Sequence, residues 1–253
     1  NDLVRKVKMA ATACLSASRP KRSFWRTQVG NPSSFTTSEQ KTARMPQSVA
    51  SLTPRAIDSS ARGEAKNLVV IGSSTGGPKA LEIVLTSIPA DINASLLVVQ
   101  HMPAGFTRSL AERLNSLCTI VVKEAEENDR LVVGRALVAP GDYHLTIAAD
   151  RTIRLNKDEP VNFVRPSIDV TMLSAARLFP KTIVGVILTG MGRDGAAGMA
   201  AIKQAGGVTL AQDKETSVIY SMPKAVVQNG DADFILPLDR IGDAAVRAIA
   251  ALM

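Results

Sequence analysis

The chain has 253 residues, 45% apolar and 21% charged, which suits one large domain with a real core. Its two cysteines, Cys14 and Cys118, are too few for a disulfide framework and lack metal-ligand spacing, and no apolar run reaches the roughly 18 to 20 residues that span a bilayer, so a soluble cytoplasmic protein without membrane insertion is expected. The net charge of +7 divides into +8 over residues 1–66 and −1 over residues 67–253; the excess sits on a tail with no aromatic stacking platform, and nucleic-acid binding is not expected.

Residues Asn1 to Leu15 read as a short amphipathic helix, with Leu3, Val4 and Val7 among Arg5, Lys6 and Lys8. From Ser16 to Ala65 the chain is rich in Ser, Thr, Pro, Arg, Lys and Gln. Ordering a backbone costs roughly 1–2 kcal/mol per residue, and this stretch has little apolar area to offset it. A flexible basic linker is expected, with the only tryptophan, Trp25, inside it.

From residue 66 to 253 short β-branched runs alternate with segments of helical period. Strands are predicted at Leu68–Ile71, Ser95–Gln100, Thr119–Lys123, Ile183–Leu188, Val208–Ala211 and Phe234–Leu236. Helical spacing joins Leu81, Val84, Leu85 and Ile88, then Phe106, Leu110, Leu114 and Leu117. It recurs at Ile168, Met172, Ala175 and Phe179, and at Ile241, Ala245, Ala248 and Leu252. Residues Arg130 to Leu155 depart from the alternation, with turns at Val133-Gly134 and Gly141-Asp142, and read as an antiparallel hairpin region at one end of the sheet. The expected fold is a three-layer α/β domain. Its sheet is mostly parallel and flanked by helices on both faces, in the doubly wound, Rossmann-like manner.

Open α/β sheets bind ligands beyond the carboxyl ends of their strands. Three such junctions carry candidate chemistry. In Gly72-Ser-Ser-Thr-Gly-Gly77-Pro78 the spacing of a phosphate loop is present, but Pro78 stands in the lysine position and Ala80 cannot ligate magnesium. A dinucleotide fingerprint fails because Ser74 replaces its second glycine. A nucleophile elbow, G-x-S-x-G, fits with Ser74 at its centre. A tight βα turn with a capping serine fits the pentapeptide as well, and Ser73 is a neighbouring alternative nucleophile.

The second junction, Val99-Gln-His101-Met-Pro103, places one of only two histidines at a strand terminus. His101 is the first choice of base for a serine nucleophile, and His144, in a turn, is the second. In the third, Leu188-Thr-Gly-Met-Gly-Arg-Asp194-Gly-Ala196, Asp194 either caps the following helix or accepts from a histidine Nδ1–H and fixes its tautomer. Arg193 either holds that acid ionised or points to solvent. No histidine follows His144, so the chain order Ser, His, Asp disfavours the α/β-hydrolase fold despite the elbow.

The stretches 70–78, 99–103, 139–144 (Ala-Pro-Gly-Asp-Tyr-His), 165–169 (Arg-Pro-Ser-Ile-Asp), 188–196 and 220–223 (Tyr-Ser-Met-Pro) together resemble the chemotaxis protein-glutamate methylesterases, the CheB family. The resemblance runs from about Leu68 to Met253. It implies hydrolysis of glutamate γ-methyl esters on methylated chemoreceptors, with release of methanol, and deamidation of receptor glutamines. It implies Ser74 as nucleophile, His101 as base and Asp194 as orienting acid. Thr75, Gly76 and Met191 then flank the site, Met191 as backbone donor to the oxyanion, and His144 lies near the substrate or holds its turn. It implies no metal and no organic cofactor. Family members carry an N-terminal receiver domain phosphorylated by a histidine kinase. Residues 1–15 are then expected to be the remnant of that domain's last helix, 16–65 the linker, and 66–253 the catalytic domain. The same chemistry in another signalling pathway, or a non-catalytic receptor-binding module, stays open.

Overall fold

The computed structural model describes residues 63–252; the expected helix over residues 1–15, Trp25 and nearly all of the expected linker lie outside the described residues. Nine strands and six helices follow one another there. The first half runs β1 (Leu68–Ser73), α1 (Gly77–Thr86), β2 (Ser95–Gln100), α2 (Phe106–Leu117), β3 (Val121–Glu124), β4 (Arg135–Val138), β5 (His144–Ile147) and β6 (Ile153–Asn156). The second runs α3 (Ile168–Leu178), β7 (Ile183–Ile187), α4 (Ala196–Gln204), β8 (Val208–Gln212), α5 (Ser221–Gln228), β9 (Phe234–Leu236) and α6 (Leu238–Ala251). Gly63–Ala65, at the end of the expected linker, already pair with the chain: Ala65 N–H donates to Leu131 O and Val133 N–H to Gly63 O.

Seven strands form one parallel sheet in the order β3-β4-β2-β1-β7-β8-β9, and β5 and β6 pair antiparallel on their own. Every residue of β1, β2 and β7 is buried. Strands covered on both faces need apolar side chains on both, and that is why these runs are nearly continuous in the sequence. On one face Val69, Ile71, Leu96, Val98 and Val186 meet α1, α2 and α6 through Leu81, Leu85, Leu114 and Ile241. On the other, Leu68, Val70, Leu97, Val99 and Ile187 meet α3, α4 and α5 through Met172, Met199 and Val226, together with the β5–β6 hairpin. Each such Leu, Ile or Val contributes about 1.5–3 kcal/mol on leaving water. The three layers are those expected from the sequence.

The region Arg130 to Leu155 is corrected. β4 is not part of a hairpin but a parallel interior strand between β3 and β2, with Ala136 opposite both Val122 and Leu96. Ala136, Leu137 and Val138 are wholly buried, which marks a strand covered on both sides. Its four residues are too few to show that by periodicity. Among the named strands of the described residues only β5–β6 pair antiparallel, joined by an antiparallel bridge of Arg130 with Thr152, and they cover the sheet rather than extend it. In α2 the stripe is buried at Leu110 and Leu114, whereas its end residues Phe106 and Leu117 are exposed.

The first described strand, β1, lies in the middle of the sheet. From β1 the chain builds outward through β2, then returns across the hairpin and α3 to lay β7 on the other side of β1. The strand order therefore reverses between β1 and β7, the point at which open α/β sheets place a ligand crevice beyond the carboxyl ends of their strands. Ser74 follows β1, His101 follows β2 and the Thr189–Gly195 turn follows β7. No described helix is long and apolar enough to cross a membrane.

Candidate active site

Ser74 sits on the turn between β1 and α1. Its own N–H donates to Thr189 O at 3.0 Å, and its carbonyl accepts from Gly77 N–H at 2.8 Å. Gly76 caps α1 with φ 84°, a left-handed conformation in which a side chain would be strained, and a Cβ there would meet Val218 at 2.8 Å. Gly190 lies so close that a Cβ on it would stand 2.8 Å from Ser74 Cβ. The glycines of two distant sequence motifs thus let one serine stand at the crevice.

The two adjacent serines have different surroundings. Ser73 is fully buried and its Oγ donates to Gln100 Oε1 at 2.8 Å. Ser74 is half-buried, and its Oγ makes no hydrogen bond among the described residues. A hydroxyl committed inside the core cannot meet a substrate; one at the crevice can. Ser73→Ala should therefore act on stability, lowering it by about 1–3 kcal/mol because Gln100 Oε1 loses its donor. Thermal unfolding beside an activity assay checks this, with activity of the folded fraction expected to stay within twofold of the parent.

His101 and Asp194 meet. His101 Nε2 lies 2.8 Å from Asp194 Oδ2, and the acid is 3% exposed. Sequence reasoning had the acid accept from Nδ1; the ring turns Nε2 to it instead. Among the described residues Nδ1 makes no hydrogen bond. The His101 backbone N–H donates to Ser73 O, which holds the histidine beside the turn that carries Ser74. Asp194 Oδ2 also accepts from Ile168 N–H at 2.7 Å, and Oδ1 from Ser167 Oγ and Asn162 Nδ2, each at 2.8 Å, and from Asp169 N–H at 3.2 Å. The N–H donors belong to the first turn of α3, where unpaired amides and the helix dipole favour an anion. Burial works against the charge of Asp194, but the bonds from His101, Ile168, Asn162 and Ser167 outweigh it and hold the carboxyl below its ordinary value. Arg193 is exposed and makes no ion pair with it.

Residues 69–245 match the family model described as CheB methylesterase. The chain belongs to that family. It is 48% identical over 188 residues to the protein-glutamate methylesterase/protein-glutamine glutaminase of Pyrococcus horikoshii, covering 73% of this chain and 51% of that protein. The protein of the same name from Archaeoglobus fulgidus is 41% identical over 250 residues, covering 97% of this chain and 64% of that protein. The crystal structure of the Thermotoga maritima CheB methylesterase catalytic domain superimposes with a TM-score of 0.70 at 43% identity, over 72% of this chain and 97% of that one. The chain spans about half the length of the curated relatives first matched.

The remaining motifs of this CheB-family domain serve the site from behind. His144, the second-choice base, is 1% exposed and both ring nitrogens are engaged, so of its two readings the structure supports the one in which it holds its turn. Its Nδ1 accepts from Ser167 N–H at 3.2 Å and its Nε2 donates to Glu159 O at 3.1 Å, so it holds the serine that holds Asp194 and is shielded from substrate. Arg165 clamps Asp142 with Nη2 at 2.6 Å and Nε at 3.3 Å, tying the 165–169 stretch to the 139–144 stretch. Ser221, in the 220–223 stretch, donates to Gly190 O at 2.9 Å and accepts from Gly192 N–H at 3.0 Å. Those bonds shape the turn that carries Met191, which is 74% exposed and whose N–H has no partner among the described residues. Thr75, also exposed, is held by Thr189 Oγ1 at its carbonyl. Asn162 was given no role from the sequence, since nothing local links it to Asp194. Among the described residues no group of three or more His, Cys, Asp or Glu side chains is arranged to hold a metal ion.

Proposed function

We propose that this chain is the catalytic part of a protein-glutamate methylesterase that also acts as a protein-glutamine glutaminase. Its substrates are the γ-methyl esters, and the glutamine amides, of chemoreceptors. The observation that carries the reading is the His101–Asp194 pair at 2.8 Å, on a histidine whose backbone N–H donates to Ser73 O, next to the half-buried Ser74 at the sheet's switch point. Relatives bearing that double name share about half of its residues over the same domain, which supports the substrate class.

In this reading His101 Nδ1 takes the Ser74 proton as Oγ attacks the ester carbonyl, and Asp194 stabilises the imidazolium through Nε2. The Met191 N–H, which has no partner among the described residues, is the donor to the developing oxyanion. The tetrahedral adduct collapses, the C–O bond to methoxide breaks, and His101 returns its proton to give methanol. Water, activated by the same histidine, then cleaves the acyl-serine to the free glutamate and restores Ser74. With an amide the leaving group is ammonia and the steps are otherwise the same. Each oxyanion donor contributes roughly 2.7–4 kcal/mol to the barrier reduction.

A receiver domain phosphorylated by a histidine kinase is the regulator that goes with this reading, and the cytoplasmic side of the receptors is its place of action. The test is methanol release from receptor membranes carrying labelled methyl groups, with the parent chain and Ser74→Ala compared at equal folded concentration. Volatile label from the parent alone is the expected result. Equal release by both would move the nucleophile elsewhere, and none from a folded parent would sink the receptor-esterase reading.

A further inference from the structure

Asp194 has one partner for which neither the motifs nor the family resemblance provides a role. Asn162 Nδ2 lies 2.8 Å from Asp194 Oδ1 and 2.9 Å from Asp169 Oδ2. An amide nitrogen carries two hydrogens, so it donates to both carboxylates at once. Both acids are buried, and they are close enough that Asp169 N–H also reaches Asp194 Oδ1. Like charges so near oppose each other's ionisation, and a donor shared between them offsets that. No lysine or arginine pairs with Asp194 among the described residues. Its charge is therefore held by hydrogen-bond donors and the histidine alone.

The backbone that delivers this amide is strained. Val161 to Val164 make a tight turn, closed by Val164 N–H donating to Val161 O at 3.1 Å. Its two central residues both have positive φ, 53° at Asn162 and 64° at Phe163. Asparagine tolerates that region; phenylalanine does so only at a cost of about 1–3 kcal/mol. Phe163 is fully exposed, so its ring gains nothing from packing that would offset the cost. What fixes the turn from inside is the pair of bonds made by Asn162.

We infer that Asn162 is a positioning residue of the esterase: its amide, presented by the Val161–Val164 turn, locks the Asp194 carboxylate toward His101 and keeps it ionised beside Asp169. The inference rests on the Ser74–His101–Asp194 reading. The titratable groups facing Asp194 are His101 from the end of β2 and Asp169 from α3. His144 on β5 reaches it only through Ser167, and Arg193, on the same turn, is exposed.

The test is methanol release from methylated receptor membranes across pH, using the full chain and its Asn162→Gly, Phe163→Gly and Ser74→Ala variants. Glycine at 162 keeps the positive φ without strain and removes only the amide. Its kcat should fall roughly 10- to 100-fold, the range for one hydrogen bond to a charged group, with KM within twofold. The acid limb of kcat/KM should also move to higher pH, because Asp194 holds its charge less well. Phe163→Gly relaxes the same turn and keeps the amide, so its kcat and acid limb should match the parent. If Asn162→Gly unfolds, Asn162→Asp, equal in shape but without hydrogens to donate, should move the acid limb further still. Parent-like kcat and acid limb in the folded 162 variant would overturn the inference, as would an equal fall in Phe163→Gly with an unmoved acid limb. Undiminished release by Ser74→Ala would instead sink the triad reading, and the inference with it.

Discussion

Ser74→Ala should lower kcat for methyl-ester hydrolysis on the order of 10⁴- to 10⁶-fold while leaving the fold intact. The size follows from a nucleophile that works as one unit with its base, where losing either costs nearly the whole of the covalent route. What survives is the contribution of the oxyanion donors and of binding. Stability should change by no more than about 0.5 kcal/mol, since Ser74 Oγ is half-buried and bonded to nothing in the described structure. Ser73→Ala is the mirror case, costing stability and sparing activity. Measured together, kcat and thermal unfolding of the two variants separate the neighbours. A large loss of kcat in Ser73→Ala at full folding would reverse the assignment.

Asp194→Asn should cost about 10⁴-fold in kcat, for a reason of tautomers rather than of shape. The carboxylate accepts from five donors. An asparagine must turn an NH₂ toward one oxygen position. With three donors aimed at Oδ1, that NH₂ falls at the Oδ2 position and donates to His101 Nε2. The imidazole is then protonated on Nδ1 and has no lone pair for the serine. The same NH₂ meets Ile168 N–H, so donor faces donor at the start of α3. Stability should fall as well, most at neutral pH. Because Asp194 is held below its ordinary value of 3.8, its stabilising contribution is present above that value and lost as pH falls through the lower folded one. Asp169 runs the other way: burial raises it, so its contribution is full below 3.8 and lost as pH climbs through its raised value. Denaturant melts from neutral to acid should therefore show a smaller acid-side loss in Asp194→Asn than in the parent. An unchanged kcat, or an acid-side loss as steep as the parent's, would count against this role.

The sequence reveals what depends on local pattern. β1, β2 and β7 are apolar runs that end in Gly-Ser-Ser, Gln-His and Thr-Gly, so three candidate side chains could be put at strand ends before any contact was known. The direction of β4 could not be read, because four residues buried on both faces look the same in a hairpin and in an interior strand. The ring of His101 could not be oriented either, since which nitrogen meets the acid depends on how β2 sits beside α3. The roles of Ser167 and Asn162 escaped for a common reason. Each reaches Asp194 across a sequence distance that only the return from the hairpin to β7 closes. The 139–144 and 165–169 stretches suggested membership of a family, and the Arg165–Asp142 clamp with the His144–Ser167 bond shows what they do physically.

The most direct measurement of the central claim is peptide-resolved mass spectrometry of the full chain after exposure to a serine-reactive fluorophosphonate. Attack by an activated hydroxyl forms a P–O bond and expels fluoride, so only a working nucleophile is labelled. The expected result is one adduct on Ser74, none on Ser73, and loss of labelling in His101→Ala. An adduct on Ser73, or equal labelling of Ser74 with and without His101, would contradict the account.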